Sequence, residues 1–212
     1  MILDLEQSLK TCKKHKLPVA EFAIAKTAKQ AADIGKKLGY PLALKVISQQ
    51  IVHKTEAGCI KAGISGEKEV SKAFEDIVEN AKKFDKKAKV QGVLIQKMGK
   101  GIELIVGGKK DEQFGHAVIL GIGGTSVELY KDYSMRLCPV SAQDFEEMLS
   151  EIKGKKLLEG FRGSKPVNLQ ALKELVLKTS EMLVDERIKE LDLNPVLAND
   201  KECTIVDARI IK

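Results

Sequence analysis

The run Glu190-Leu-Asp-Leu-Asn-Pro-Val constrains this chain more than any other stretch, because it alternates polar and apolar residues without a break as far as Asn194. Successive side chains of a strand point to opposite faces. Glu190, Asp192 and Asn194 therefore share one face, and Leu191, Leu193 and, past Pro195, Val196 form the other. A second run, Thr-Ile-Val-Asp-Ala-Arg at 204–209, returns after Asn199-Asp200, so a hairpin is predicted over 189–211. Asp207 then faces the acidic side of its partner strand. Two readings follow. Carboxylate and amide oxygens converging from paired strands suit a hard cation such as Mg²⁺, which takes few protein ligands beside substrate phosphates. The alternative is an exposed acidic face with no ligand.

The rest of the chain mixes both periodicities. A helix is predicted over 2–15, ended by Pro18, and strands over 19–25, 42–47 and 59–64. A second helix runs from Thr27, as its cap, to about Lys37, with Gly39 as its stop. Val70, Ala73, Phe74, Ile77 and Ala81 recur at helical spacing across 67–84. After the lysine-rich KKFDKKAK comes a strand-rich block: VQGVLIQKM, GIELIVGG, HAVILGIGG and MRLCPV. Helices over 142–152 and 168–184 precede the hairpin. The pattern predicts an α+β fold of two subdomains, 1–90 and 91–212.

Composition narrows the function classes. The net charge of +6 and pI near 9.0 admit nucleic acid, but the lysines are interleaved with acids and tryptophan is absent. That spread fits a solvated surface with a site for phosphate-bearing small molecules, and no nucleic-acid partner is expected. Cys12, Cys59, Cys138 and Cys203 form no CxxC pair, which argues against structural zinc and a disulfide framework. No apolar run approaches the roughly 20 residues of a membrane span. The N-terminal MILDLEQSLKTCKKHK lacks the order of a signal peptide, so a cytoplasmic protein with no membrane partner is expected.

Several residues stand out on their own terms. Lys45 interrupts the apolar LALKVI; it either meets an anion or lies on the exposed face of a half-buried strand. Glu103, alternating with apolar neighbours, reads on spacing as an ordinary strand glutamate. The glycine-rich GIGGTSVELYKD, 121–132, matches neither a Walker loop nor GxGxxG; it is a tight turn or a backbone approach to phosphate. His53, in the polar segment between two apolar runs, is by spacing alone a loop residue.

Taken together, YPLALKVISQQIVHKTEAG, VLIQKMGKGIELIVGGKKDEQFG, GIGGTSVELYKD, RLCPV, GFRGSKPVN and ELDLNPV…VDARI resemble the β subunits of ADP-forming acyl-CoA synthetases, from about Leu17 to Ile211. The resemblance implies an ATP-grasp fold with a nucleotide cleft between its two subdomains. It assigns Lys45 to the nucleotide phosphates, and the backbone of Gln96, Lys97 and Met98 to the adenine edge. Glu103 is assigned to the ribose hydroxyls, Arg136 to phosphate, and Asn194 and Asp207 to Mg²⁺. It makes His53 the histidine that is phosphorylated in transit, on a mobile loop, and Asp192 the carboxylate that orients and stabilises it. His15 and His116 have no such context and are left structural. The implied cofactors are Mg²⁺ and ATP/ADP, and the implied partner is a CoA-binding α subunit in an α2β2 heterotetramer. The loop reads His-Lys-Thr-Glu-Ala-Gly-Cys, where relatives more often have Ser-Asp and a second glycine or alanine. Another ATP-grasp carboxylate ligase, or a non-catalytic nucleotide-binding module, is the competing expectation.

Overall fold

The helical spacing of Val70, Ala73, Phe74, Ile77 and Ala81 becomes a helix, Glu67–Phe84, and all five side chains are buried. In the computed structural model, which describes residues 1–51, 53–124 and 132–212, this helix belongs to a compact unit of residues Ala20–Gly99. Its strands are β1 (Phe22–Ala25), β2 (Leu42–Ile47), β3 (Ile60–Ile64) and β4 (Gly92–Lys97), in the order β1-β4-β2-β3 with antiparallel pairings. One helix, α1 (Leu5–Lys14), precedes them in the chain; α2 (Ala28–Leu38) and α3 (Glu67–Phe84) are the unit's own. Thr27 caps α2 by accepting from the Gln30 amide, and Gly39 ends it at φ +74°, where a side chain would be strained.

The two faces of this sheet differ. Leu42, Leu44, Val46, Val93 and Ile95 form a core cluster with Ala31 of α2 and the buried residues of α3. The intervening positions, Ala43, Lys45, Ile47, Leu94 and Gln96, point the other way and are also buried.

The second unit comprises Met1–Val19 and Lys100–Lys212. Its strands are β5 (Ile102–Asp111), β6 (Gly115–Ile122), β7 (Tyr133–Leu137), β8 (Glu190–Ala198), β9 (Cys203–Ile205) and β10 (Arg209–Ile211). The sheet order is β10-β8-β5-β6-β7, with β9 paired to β8. Its helices are α4 (Ala142–Glu151), the short α5 (Lys155–Leu158), which periodicity did not suggest, and α6 (Leu169–Asp185). The sheet and α6 approach so closely at Gly108 that a Cβ there would lie 2.4 Å from Leu183 Cδ1.

The units do not divide at residue 90, as the sequence reading expected. β4 lies between β1 and β2, so the first unit needs every residue to Gly99. The first nineteen residues join the second unit instead. Ile2 bridges Ile211, Val19 bridges Ile205, and the Leu3 amide donates to Ile210 O. Glu186, just past α6, fastens the same seam: it accepts from Lys14 at 2.7 Å and from Lys212 at 2.6 Å, and lies 2.9 Å from His15 Nε2. These contacts are long-range, and lysine-rich composition near residue 90 is blind to them.

Hydrogen bonds from Lys14, Lys212 and His15, in that order, hold the Glu186 carboxyl far below its ordinary value of 4.5. A depressed carboxylate stabilises the fold above its unfolded pKa and loses that contribution as pH falls through the folded one. Glu186→Ala is expected to cost about 2 kcal/mol at pH 7, a fall in melting temperature of roughly 4–8 °C. In thermal melts the gap from wild type should narrow as pH drops below 4.5.

Candidate functional site

Lys45 sits mid-strand in β2, opposite Leu94 of β4 and Ile60 of β3, and only 7% of it is exposed. Lys45 has a partner within the protein, in keeping with the desolvation that such a position imposes on a lysine. The sheet face that carries it also carries Gln96, whose side-chain Nε2 is buried without a hydrogen-bond partner among the described residues.

The His53 segment is a single helical turn. The Ala57 amide donates to His53 O, the Cys59 amide to Lys54 O and the Gly58 amide to Thr55 O, at 3.1, 2.8 and 3.0 Å. Its base is rooted in the core by Ile51, Ala57 and Cys59, all buried. Asn80 of α3 donates to Gly58 O at 2.9 Å. Spacing alone does not reveal that clamp, because Asn80 comes from a separate helix. His53 itself is held outward: its side chain is 72% exposed, with Nδ1 4.0 Å from Glu56 Oε1.

In the segment Gln96-Lys97-Met98 two of the backbone amides are already engaged. The Lys97 amide donates to Glu21 O at 3.0 Å and the Met98 amide to Pro41 O at 3.1 Å. Those two N–H groups are used by neighbouring chain and do not present themselves to a base. Met98 is instead exposed at its side chain, and its Sδ accepts from the Gly63 amide at 3.0 Å. Lys97 Nζ donates to Leu38 O.

In the other unit, β8 carries Glu190, Asp192 and Asn194 exposed on one face, with Leu191 and Leu193 buried on the other. Val196 pairs with Ile205 and Asp192 with Arg209, so the register is the same on both sides of the gap between β9 and β10. Asp207 therefore stands directly opposite Asn194, beside the cis Asn194-Pro195 bond, and the Val206 amide donates to Pro195 O at 3.2 Å. Asp207 is half-buried and accepts from the Ala208 amide at 2.8 Å. Asp192, although exposed by area, has its carboxyl raised above the ordinary value, first by desolvation and then by the charge of Asp207, with Arg209 opposing. Asn194 and Asp207 are hard oxygen donors of the kind Mg²⁺ takes. Among the described residues no cluster of three or more His, Cys, Asp or Glu exists, so such an ion would draw its remaining ligands from water or phosphate. A depression of about 330 Å³ on this face is lined by Lys109, Glu190, Asp192 and Arg209 among others.

Glu103 is exposed on β5, on the same face as Gly107, which pairs with Asp192. Its carbonyl accepts from the Gly123 amide, and a Cβ on Gly123 would lie 2.7 Å from the Glu103 backbone. The glycine-rich run thus begins against Glu103; its residues 125–131 lie outside the described part of the structure. Where the run ends, Asp132 accepts from the Lys153 and Gly154 amides at 2.8 and 2.7 Å, fixing the start of α5. Sequence reasoning passed over that carboxylate.

Arg136 is engaged within the protein. Its guanidinium donates to Glu151 Oε1 at 2.6 Å, to Glu147 at 3.3 Å, and to Ser134 Oγ and Met135 O. It clamps β7 to α4, and the fork that would grip phosphate is already filled by carboxylate. His15 is taken by Glu186, and His116 lies on β6. The cysteines are free thiols; burial pushes Cys12 up to about 12 and Cys138 up to about 11, away from reactive thiolate. No described helix is long and apolar enough to cross a membrane.

Comparison with known proteins sets these residues in a family. An ATP-grasp domain profile matches residues 1–211. The chain is 41% identical over 197 residues to the β subunit of Acetate–CoA ligase [ADP-forming] I of Pyrococcus furiosus, covering 92% of this chain and 85% of that one. The chain belongs to the ADP-forming acyl-CoA synthetase β-subunit family. It is also 43% identical over 209 residues to the 4-hydroxybutyrate–CoA ligase [ADP-forming] of Nitrosopumilus maritimus, covering 97% of this chain but only 30% of that longer one. Among solved structures, it superposes on the dinucleotide-forming acetyl-coenzyme A synthetase 1 of Candidatus Korarchaeum cryptofilum, in complex with coenzyme A and Ca-AMPCP. The TM-score is 0.95 at 40% identity, over 99% of this chain and 93% of that one. A second structure of the same protein, at TM-score 0.90 and 38% identity over 99% of this chain and 92% of that one, carries a phosphorylated phosphohistidine segment. The synthetase-family fold is thus an ATP-grasp fold of mixed helices and sheets, as the sequence implied.

Because Arg136 serves the β7–α4 seam, Arg136→Ala should lower the melting temperature and leave Mg-nucleotide affinity unchanged, in parallel melts and fluorescent-nucleotide titrations. Hydrogen bonds from Arg136 and Ser134 lower the Glu151 carboxyl to about 2. Its contribution should therefore hold at neutral pH and disappear as pH falls from 4.5 towards that value.

Proposed function

We propose that this chain is the nucleotide-binding, phosphoryl-carrying β subunit of an ADP-forming acyl-CoA synthetase, acting in the cytoplasm with a CoA-binding α chain as an α2β2 heterotetramer. One observation carries the reading. The His53 turn is rooted at its base yet presents the imidazole to solvent, in a chain whose solved relative bears a phosphohistidine segment. Neither a carboxylate ligase that transfers phosphoryl directly nor a passive nucleotide module has a use for that arrangement.

In this scheme a neutral His53 imidazole accepts a phosphoryl group that arises as acyl phosphate on the partner, then yields it to ADP. Lys45, held in a buried strand, meets the nucleotide phosphates as a point charge preorganised by its surroundings. Glu103 binds the ribose hydroxyls through its exposed carboxylate. Asn194 and Asp207 hold Mg²⁺, which when bound neutralises charge on the transferring phosphoryl and its leaving group. Asp192 supports the phosphorylated imidazole where it meets the nucleotide. The segment 96–98 contributes to adenine binding through groups other than the Lys97 and Met98 amides. The CoA-binding partner would recognise the acyl group.

Incubation with Mg²⁺ and γ-labelled ATP should label the wild type with acid-labile, base-stable phosphate and leave His53→Ala unlabelled. Equal labelling of both proteins would remove His53 from the reaction. Asp207→Asn should raise the Mg²⁺ concentration needed for half-maximal labelling by about tenfold or more, measured by Mg²⁺ titration at fixed ATP.

A further inference from the structure

A phosphoryl carrier that works at two sites meets a problem of chemistry at each. Imidazole must keep one nitrogen bare and aim it, and a carboxylate fixed in one site can help only there. Asp192 belongs to the unit that does not contain His53. Resting on the reading above, we propose that Glu56 is a positioning residue that accompanies His53. It accepts from Nδ1–H, holds the tautomer with Nε2 bare, and so directs phosphorylation to Nε2.

The geometry of the turn supports this. Residues 53 and 56 are three apart on one helical turn, where side chains are neighbours. The turn is closed by the Ala57-to-His53 and Cys59-to-Lys54 hydrogen bonds, so the backbone positions from which the two side chains project are fixed relative to each other. His53 Nδ1 and Glu56 Oε1 are 4.0 Å apart, which one side-chain torsion or one bridging water converts into a hydrogen bond. Among the described residues the Glu56 carboxylate has no other hydrogen bond or ion pair, and its side chain is 76% exposed. The base of the turn is meanwhile rigid. Gly58 takes φ +62°, and a Cβ there would lie 3.0 Å from Asn80 Nδ2, so the Asn80 bond to Gly58 O requires glycine.

The step balances on these atoms. The Nε2 lone pair forms the N–P bond to the γ-phosphorus of ATP, and the bond from that phosphorus to the βγ-bridging oxygen breaks. ADP leaves with that electron pair. The ring gains a positive charge, which Glu56 offsets, and its Nδ1 proton passes to the carboxylate or to water. Return to ADP reverses each change. This is the division of labour that a carboxylate–imidazole pair performs when it fixes the tautomer and steadies the imidazolium.

Imidazole ¹⁵N shifts of His53 in the full chain, compared among wild type, Glu56→Ala and Glu56→Gln, test the proposal without any phosphoryl transfer. Wild type and Glu56→Gln, which retains an acceptor oxygen, should favour Nδ1–H; Glu56→Ala should lose that preference. With Mg²⁺ and ATP, Glu56→Ala should label about tenfold more slowly and place part of the phosphate on Nδ1, read by ³¹P shift, while Glu56→Gln keeps it on Nε2. An unchanged tautomer and a single Nε2 isomer in Glu56→Ala would overturn the role of Glu56. Absence of label in wild type would overturn the phosphoryl-carrier reading instead, and the ¹⁵N comparison would still decide for or against Glu56.

Discussion

The pairing of β8 with its neighbours organises everything chemical in the larger unit. Its leucines must face the helices, because exposing them would forfeit roughly 1.5–3 kcal/mol of burial apiece. Given that, a period of two leaves Glu190, Asp192 and Asn194 no choice but the opposite face. A register slip of one residue would bury two carboxylates and expose the core. Antiparallel pairing with unbroken register across the gap then carries Asp207 to Asn194 and Arg209 to Asp192. The polar character of the face is thus a by-product of where two leucines must go.

The smaller unit solves a different problem. Lys45 is carried by a strand buried along its whole length, and His53 by a turn whose base is core and whose tip is solvent. On the function proposed above, a phosphate-binding lysine on the rigid element and a nucleophile on the projecting one separate two demands. Phosphate binding gains from groups that do not reorganise, whereas a carrier has to reach its donors and acceptors. Asn80, Gly58 and Cys59 mark the boundary between these regimes within a few residues.

How much of this was legible in the sequence depended on whether the determining interaction was local. Period-two alternation in ELDLN and period-3.6 burial along 67–84 are local, and both elements appear where those patterns lie. Lys45 was visible as a lysine in an apolar run, although whether it was buried or on an exposed face was not. Features set by distant neighbours were hidden. The division of units near residue 90 failed because β4 threads between β1 and β2, and because residues 1–19 bond to the last strands. Arg136 resembled a phosphate ligand in its local string, yet two glutamates a helix away claim its guanidinium. The linker amides of Lys97 and Met98 are likewise consumed by Glu21 and Pro41, which no motif foreshadows. Residues in the strongest family strings lie on well-placed elements, while the roles inferred for them rest on family chemistry.

The central claim is that His53 carries a phosphoryl group with enough transfer potential to make ATP. The most direct test is to phosphorylate the chain, remove free nucleotide, and add Mg²⁺ with ADP in a rapid-quench mixer. Phosphate lost from the protein should appear one-for-one as ATP. Release as inorganic phosphate with no ATP formed would contradict the account, leaving His53 modified but not a carrier.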